Sequence, residues 1–244
     1  HEANIGTWAK LDDKGIIVRT WEMPAGAHTP DLADLKALLG PRTRLMAVTH
    51  AYNIYGTINP VKEIAKNVHE AGALLCVDGV AFGPHRAIDV QALDADFYAF
   101  SVYKTYGTHF AALYGRYDAL LAAGNINHRF FTRDKVPQKM EPGNASYELA
   151  YSCIGVIDYL EAFAAAHGAN TTGRAAIEAA FQIIATHEQD LSQRLLAFLR
   201  EREDVTIIDA DSADQASRVL TNSFGSERAS SHCIVRKVDT TVMV

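Results

Sequence analysis

The chain has 244 residues, 48% of them hydrophobic and 21% charged, which is enough to bury the core of one or two globular domains and unlike a disordered tail. Its net charge of -6 and pI near 5.9 leave no basic surface of the kind that neutralises phosphate backbones, so we expect no nucleic-acid partner. No apolar run approaches the roughly 20 residues that span a bilayer, and the start has no basic region followed by an apolar stretch, so we expect a cytoplasmic protein without a membrane partner.

Strand-like and helix-like segments alternate over the first part of the chain. Residues 1–8 could open a helix or line a pocket, and the sequence alone does not decide between the two. Residues 15–23, GIIVRTWEM, have the β-branched and aromatic content of a strand. Thr29-Pro30-Asp31 then supplies an N-cap, a first-turn proline and an acidic first turn for a helix. Further strands are predicted at 43–49, 73–78, 97–101 and 110–114, and helices at 30–39 and 59–70.

The character of the sequence changes beyond Tyr117, where strand-like runs stop and long helical patterns begin. Residues 125–142 are rich in His, Arg and Phe and predict an irregular segment. A short strand after the last helix would begin a second, smaller α+β domain. The predicted helices are 146–166 and 174–203, the strand is 205–211, and the two domains are 1–203 and 204–244.

Both ends of the chain interrupt a predicted domain. The chain opens at His1 instead of a methionine, and it stops at Val244 directly after VRKVDTTVMV, a stretch typical of the interior of a domain. We therefore interpret the sequence as a fragment, with the early part of the large domain and most of the small domain missing.

The apolar runs that end at Asp78 and Ser101 do not alternate with polar residues, which is typical of strands buried on both faces. Strand, helix and strand follow one another with short connections, which predicts a right-handed parallel βαβ unit. We therefore expect an α/β fold with a mostly parallel sheet between helices. Ligands of such open sheets bind outside the carboxyl ends of the strands, where Asp78 and Lys104 would lie.

A lysine and an aspartate on neighbouring strand ends meet the needs of one cofactor. A lysine amine forms a Schiff base with an aldehyde, and a carboxylate facing a pyridine nitrogen keeps that ring protonated. Both are requirements of pyridoxal phosphate chemistry, and Ser101, close to Lys104, could hydrogen-bond the phosphate. The alternatives stay open: Asp78 as a helix cap or ion-pair partner, Lys104 as a solvated lysine, and Ser101 bonded to its own backbone.

Other kinds of site lack their sequence signatures. No GxGxxG, Walker or GxSxG motif occurs, and no HxxxH or HExxH spacing indicates a metal. The cysteines form no CxxC pair and are too scattered for a disulfide framework. Among the histidines, His50 could lie near a cofactor because it follows a strand. Three others lie on predicted helices or directly after one and are interpreted as surface or satisfied core residues: His69, His167 and His187.

Four segments form a set: HEANIGTW, TRLMAVTHAYNIYGTINPVKEIA, VDGVAFGPHRAIDVQALDADFYAFSVYKTYG and MEPGNASYE, spread over residues 1–148. In their order and separations they resemble the class V aminotransferase family of pyridoxal phosphate enzymes, and within it the cysteine desulfurase-like proteins. The resemblance implies an aspartate aminotransferase-like large domain, pyridoxal 5′-phosphate as cofactor, an amino-acid substrate and a homodimer.

The resemblance implies a role for each matching residue. Lys104, in SVYK where relatives often have SGHK, would form the Schiff base, and Asp78, in VDG, would pair with the pyridine nitrogen. His1 would stack on the cofactor ring, as the first histidine of the family's HHAN-like motif does; the alternative is a terminal residue without a role. Asn53 would reach the phenolic oxygen of the ring, and Ser101 the phosphate.

Three positions depart from the family pattern. Ala81 stands where desulfurases commonly have the glutamine of VDGAQ, which assists at the phenolic oxygen. Tyr103 replaces the histidine before the lysine, although its hydroxyl could still donate to the phosphate. Gly143-Asn144 replaces a GT pair that contributes to the neighbouring subunit's phosphate site. These departures bear on the desulfurase reaction more than on cofactor binding.

Three hypotheses follow for the function. The first is a cysteine desulfurase-like enzyme that converts L-cysteine to L-alanine with transfer of the sulfur. The second keeps the cofactor but changes the reaction to that of an aminotransferase, an epimerase or a carbon-sulfur lyase. The third is a catalytically incomplete fold that only binds a partner or dimerises. The family's sulfur-accepting cysteine has no clear match, since Cys233, in SSHC, resembles it only superficially.

Overall fold

A computed structural model describes residues 1–24, 27, 30–141, 143–208, 210–226 and 239–243. The helices are α1 (Glu2–Ala9), α2 (Leu32–Leu38), α3 (Val61–Glu70), α4 (Tyr117–Ala122), α5 (Tyr147–Ser152), α6 (Ile154–Ala166) and α7 (Gly173–Arg200). The strands are β1 (Val18–Glu22), β2 (Leu45–Thr49), β3 (Leu74–Asp78), β4 (Phe97–Ser101), β5 (Ala111–Gly115), β6 (Val205–Ile207), β7 (Phe224–Ser226) and β8 (Asp239–Met243).

Six of these strands form one mixed sheet in the order β1-β8-β2-β3-β4-β5. The central strands β2, β3 and β4 are parallel, and β5 pairs antiparallel with β4. Strand β8 pairs antiparallel with β1 and β2, and β6 and β7 form a separate two-stranded sheet. The predicted α/β fold with a central parallel βαβ unit is therefore confirmed.

One apolar core joins α2 and α3 to a face of the sheet. Residues of α3 at helical spacing pack against inward side chains of β2 and β3, among them Met46 and Leu75. Complete burial of side chains of this size contributes about 1.5–3 kcal/mol each. The central strands are thereby held firmly, and so are the points where they end. The buried stripe of α3 consists of Val61, Ile64, Ala65 and Val68.

Several predicted boundaries need correction. Asp31 caps α2, because its carboxylate accepts a hydrogen bond from the Ala33 amide at 2.8 Å, whereas Thr29 lies outside the described residues. The helix predicted for 146–166 breaks at Cys153, which separates α5 from α6. The strand predicted for 205–211 is shorter and ends at Ile207.

Residues 1–8, for which a helix was one of two possibilities, begin helix α1. Three elements in the described part of the chain were not predicted: α4, which follows β5 directly, β7 and β8. Strand β8 lies inside the main sheet between β1 and β2, although its residues fall within the predicted small domain. The division of the chain at residues 203 and 204 therefore stays a prediction. Cys233 lies outside the described residues.

Helices α5 and α6 together form a segment, Tyr147–Ala166, that is long and apolar enough to cross a membrane by length and composition. The sequence has no uninterrupted apolar run of that length, but this segment reaches it with a few polar residues scattered through it, among them Glu148, Asp158 and Glu161. Within the segment Leu160 and Ala164 are buried, in a second core cluster that packs α6 against α7. The rest of its surface faces outward or is half-buried.

Candidate active site

The carboxyl ends of β2, β3 and β4 lie side by side at one edge of the sheet. Thr49 is opposite Asp78, and Asp78 is opposite Ala99. Because neighbouring strands lie about 4.8 Å apart, groups that follow all three strands lie within about 10 Å across the sheet. Strand β5 runs the other way, so the loop of residues 102–110 also lies at this edge, between Ser101 and Ala111. We call this region the carboxyl edge.

Asp78 is the last residue of β3 and is half-buried. One of its carboxylate oxygens accepts a hydrogen bond from the Val80 amide at 3.0 Å, and its carbonyl accepts one from the His50 amide at 2.8 Å. The amide of Gly79 donates to the Ala99 carbonyl at 2.7 Å. These bonds fix the carboxylate at the carboxyl edge, where the apolar run of β3 predicts it.

Three buried rings lie beside Asp78. His50 stacks on Phe82, with ring centroids 3.5 Å apart, and its Nδ1 lies 2.8 Å from the Tyr98 hydroxyl. Burial lowers the pKa of His50 to about 3. Burial, and then the charge of Asp78, raise the pKa of the Tyr98 phenol. Both groups are therefore neutral near pH 7, and a Cβ added at Gly79 would overlap the Tyr98 ring, so this close approach requires glycine.

The buried His50 makes stability depend on pH. In the unfolded chain its pKa is near 6.5, and in the folded chain it is about 3. Between these values the unfolded state binds the extra proton, so stability is full above pH 6.5 and falls as the pH is lowered. We expect the parent to lose about 2 kcal/mol more than His50→Gln between pH 7 and pH 5, measured by urea unfolding. Equal losses would contradict the neutral, buried state of His50.

Lys104 lies on a single 3₁₀ turn, Val102–Lys104, that directly follows β4. Its side chain is exposed, with Nζ 6.0 Å from the centroid of the Tyr103 ring, so the amine is accessible to a ligand. Ser101 is buried, and its carbonyl accepts a hydrogen bond from the Thr105 hydroxyl at 3.3 Å. The carboxyl edge thus brings together Asp78, Ser101, Tyr103 and Lys104.

Asn53 and His1 occupy more exposed positions. Asn53 lies at the carboxyl edge in the turn after β2, which the Gly56 amide closes on the Tyr52 carbonyl at 2.8 Å. His1 caps α1, where its Nδ1 accepts a hydrogen bond from the Ala3 amide at 3.1 Å. In the described part of the chain no hydrogen bond or ring contact joins His1 to the carboxyl edge, so its role at a cofactor ring stays a prediction.

The loop after Asp78 is tied to α7 by one buried carboxylate. Glu188 is 2.5 Å from Nδ1 of His85 and 2.7 Å from the Arg86 guanidinium. Ala81, in the same loop, packs into a small apolar cluster that contains Phe82. The sequence predictions did not include this link, although Glu188 follows the buried Ala185 at helical spacing and so falls on the inward stripe of α7.

The sequence matches the family described as aminotransferase class-V over residues 1–243. It is 41% identical over 242 residues to the aminotransferase-like protein FGM3 of Gibberella zeae. The aligned region covers 98% of this chain and 57% of that protein. It is 40% identical over 169 residues to the cysteine desulfurase-like protein ustD of Aspergillus flavus. That aligned region covers 66% of this chain and 38% of that protein.

Solved structures show the same relationship. The crystal structure of the cysteine desulfurase CsdA from Escherichia coli superposes with a TM-score of 0.61 and 26% sequence identity, and it covers 77% of this chain. The match takes in 46% of the CsdA chain. The chain therefore spans about half the length of the proteins that it matches, or less.

Proposed function

Because this chain belongs to the aminotransferase class-V family, whose members depend on pyridoxal phosphate, we propose that it binds this cofactor and acts on an amino acid as a cysteine desulfurase-like enzyme. The observation that carries the proposal is that a half-buried carboxylate, Asp78, and an accessible lysine, Lys104, lie at the same edge of the sheet. Asp78 ends β3, and Lys104 lies on the turn that follows the neighbouring parallel strand β4. This is the place where open α/β sheets bind ligands.

The donor set at this edge fits the chemistry of pyridoxal phosphate. The cofactor needs an amine for its aldehyde, a carboxylate for its pyridine nitrogen and donors for its phosphate, and when bound it supplies an electron sink for charge at the substrate's α-carbon. In the described residues no cluster of three or more His, Cys, Asp or Glu side chains could hold a metal. The proposed partners are Lys104 for the aldehyde, Asp78 for the nitrogen, Asn53 for the phenolic oxygen, Ser101 and Tyr103 for the phosphate, and His1 for the ring face.

The surroundings of Asp78 suit its part in this proposal. His50, whose amide donates to the Asp78 carbonyl, is neutral near pH 7, so its ring provides no positive charge that would compete for the carboxylate. Asp78 can then hold a proton on the pyridine nitrogen. With the cofactor and a substrate bound, Lys104 would serve as a general base that moves a proton at the substrate's α-carbon.

The desulfurase-like reaction is tested with L-cysteine. In the presence of a dithiol, which releases the transferred sulfur as sulfide, we expect alanine and sulfide in equal amounts. A chain that binds the cofactor and forms neither product would contradict this reaction. Ala81 favours the second candidate, because its methyl group lies in an apolar cluster and cannot assist at the phenolic oxygen. Keto-acid formation or α-proton exchange across a panel of amino acids would support that candidate instead.

We also propose that the protein is a homodimer, through the outward face of α5 and α6. This face carries large apolar side chains that remain between 46% and 76% exposed: Tyr147, Tyr151, Ile154 and Ile157. Large exposed apolar side chains grouped on consecutive helices are a feature of interaction surfaces.

A single charge on this face tests the dimer. We expect Tyr151→Glu to convert the dimer to a monomer in sedimentation experiments, because the glutamate would be buried without a partner. Gln193→Glu places the same charge on an exposed position of α7 and should leave the dimer intact. A parent that sediments as a monomer would contradict the proposal.

A further inference from the structure

Tyr103 and His109 stack face to face beside Lys104. Their ring centroids are 4.6 Å apart and their planes differ by 5°. The two residues come from opposite ends of the 102–110 loop, which closes through a hydrogen bond from the Val102 amide to the Phe110 carbonyl at 2.9 Å. Both rings are exposed, as is the Lys104 amine, which lies 6.0 Å from the centroid of the Tyr103 ring.

The rest of this loop is anchored to the protein. The Tyr106 hydroxyl donates to the Pro84 carbonyl at 2.7 Å, and the hydroxyls of Thr108 and Ser152 are 2.9 Å apart. A Cβ at Gly107 would lie 2.5 Å from a methyl carbon of Val102, so the loop packs tightly there. These contacts involve residues 106–108, in the middle of the loop. The side chains of Tyr103, Lys104 and His109 remain exposed to solvent.

The structure of the cofactor explains why a hydrogen-bond donor would be needed beside Lys104. In pyridoxal phosphate the aldehyde and the arm that carries the phosphate are bonded to adjacent ring carbons. A donor to the phosphate must therefore lie close to the lysine that takes the aldehyde. The Tyr103 hydroxyl is such a donor, but an unrestrained tyrosine on an exposed loop would lose rotamer freedom on binding. The parallel ring of His109 restricts the Tyr103 side chain before the cofactor arrives.

We propose that His109 is a positioning residue, which holds the Tyr103 ring by stacking so that the Tyr103 hydroxyl donates to the cofactor phosphate. The inference rests on the proposed function, because it concerns the phosphate of the cofactor assigned to Lys104. His109 acts through its ring face, so another aromatic residue should replace it. It also acts only through Tyr103, so it should have no effect once the Tyr103 hydroxyl is gone.

The test compares the binding of pyridoxal 5′-phosphate with that of pyridoxal, which lacks the phosphate, by absorbance titration of the parent and variants. We expect Tyr103→Phe to weaken binding of the phosphorylated compound by about 10-fold or more, since a hydrogen bond to a charged group is lost. His109→Ala should weaken it severalfold and His109→Phe should restore it. Pyridoxal should bind equally well to all variants, and the double variant should match Tyr103→Phe alone.

Each other outcome overturns the inference. His109→Ala binding the phosphate compound as the parent does would remove the role of His109, and equal weakening for both compounds would make that role unrelated to phosphate. Failure of His109→Phe to restore binding would exclude stacking as the cause. If the fold-losses in affinity of the two single variants multiplied in the double variant, His109 would act independently of Tyr103. A parent that binds neither compound would instead contradict the proposed function itself, and the inference would fall with it.

Discussion

Lys104→Ala is expected to abolish the visible absorption band that pyridoxal 5′-phosphate forms with the parent chain. The band arises when an amine condenses with the aldehyde and releases water, and alanine has no amine to do so. The exposed Lys104 side chain directly follows β4 at the carboxyl edge, so its loss should not disturb the core. Circular dichroism should therefore show an unchanged fold, while the titration shows no band.

Two further variants test whether the band needs the amine of Lys104 itself, as opposed to a positive charge at this position or any exposed lysine. Lys104→Arg keeps a positive charge but offers a guanidinium that does not condense with the aldehyde at neutral pH, so it should also lack the band. Lys66→Ala removes an exposed lysine from α3 and should keep the band. A band of parental strength in Lys104→Ala would exclude Lys104 as the site of attachment.

Asp78→Asn is expected to keep cofactor binding but to lower turnover with an amino-acid substrate by about 100-fold or more, the usual loss when a preorganised electrostatic group is removed. The amide oxygen of asparagine can still accept the hydrogen bond from the Val80 amide, so the turn after β3 is preserved. What is lost is the negative charge that, in the proposed site, would keep the pyridine nitrogen protonated. Steady-state kinetics with the substrate found in the amino-acid screen measure this effect.

Asp89→Asn is the matched control for Asp78→Asn. The carboxylate of Asp89 also accepts hydrogen bonds from backbone amides, those of Gln91 and Ala92, but it does not lie on a strand end. We expect this variant to turn over substrate at the parental rate. Parental turnover in Asp78→Asn would show that this carboxylate does not serve the cofactor.

The part of the site that sequence reasoning predicted best lies on the strand ends. Non-alternating apolar runs predicted β3 and β4, and the polar residue that closes each run lies at the carboxyl edge. The expectation that both faces are fully buried was wrong for β3, where buried and half-buried residues alternate. The runs nevertheless placed Asp78 and Ser101 correctly in the fold, with Lys104 one turn beyond. The roles of these residues toward a cofactor remain predictions.

The contacts between loops could not be predicted in the same way. His50 meets Phe82 and Tyr98 across gaps of 32 and 48 positions in the chain, so no local pattern reveals the buried cluster. Glu188 reaches the loop after Asp78 from the middle of α7. The partners of such groups depend on how distant elements pack, which local sequence patterns do not specify.

His109 shows the same limit at short range. It is near Lys104 in the sequence, but its stacking on Tyr103 depends on the closure of the 102–110 loop, which is anchored on Pro84 and Ser152. Its ring position could be recognised only after those contacts were known. Ala81 departs from the family pattern at the level of sequence, whereas its apolar surroundings are defined only by the structure.

The most direct test of the cofactor site is to find which lysine takes the cofactor. The chain is mixed with pyridoxal 5′-phosphate, reduced with borohydride to make the attachment permanent, digested, and examined by mass spectrometry of the peptides. We predict one modified residue, Lys104, with the parent and none with Lys104→Ala. Modification at a different lysine, or spread over many surface lysines, would contradict a pyridoxal phosphate site at the carboxyl edge of this sheet.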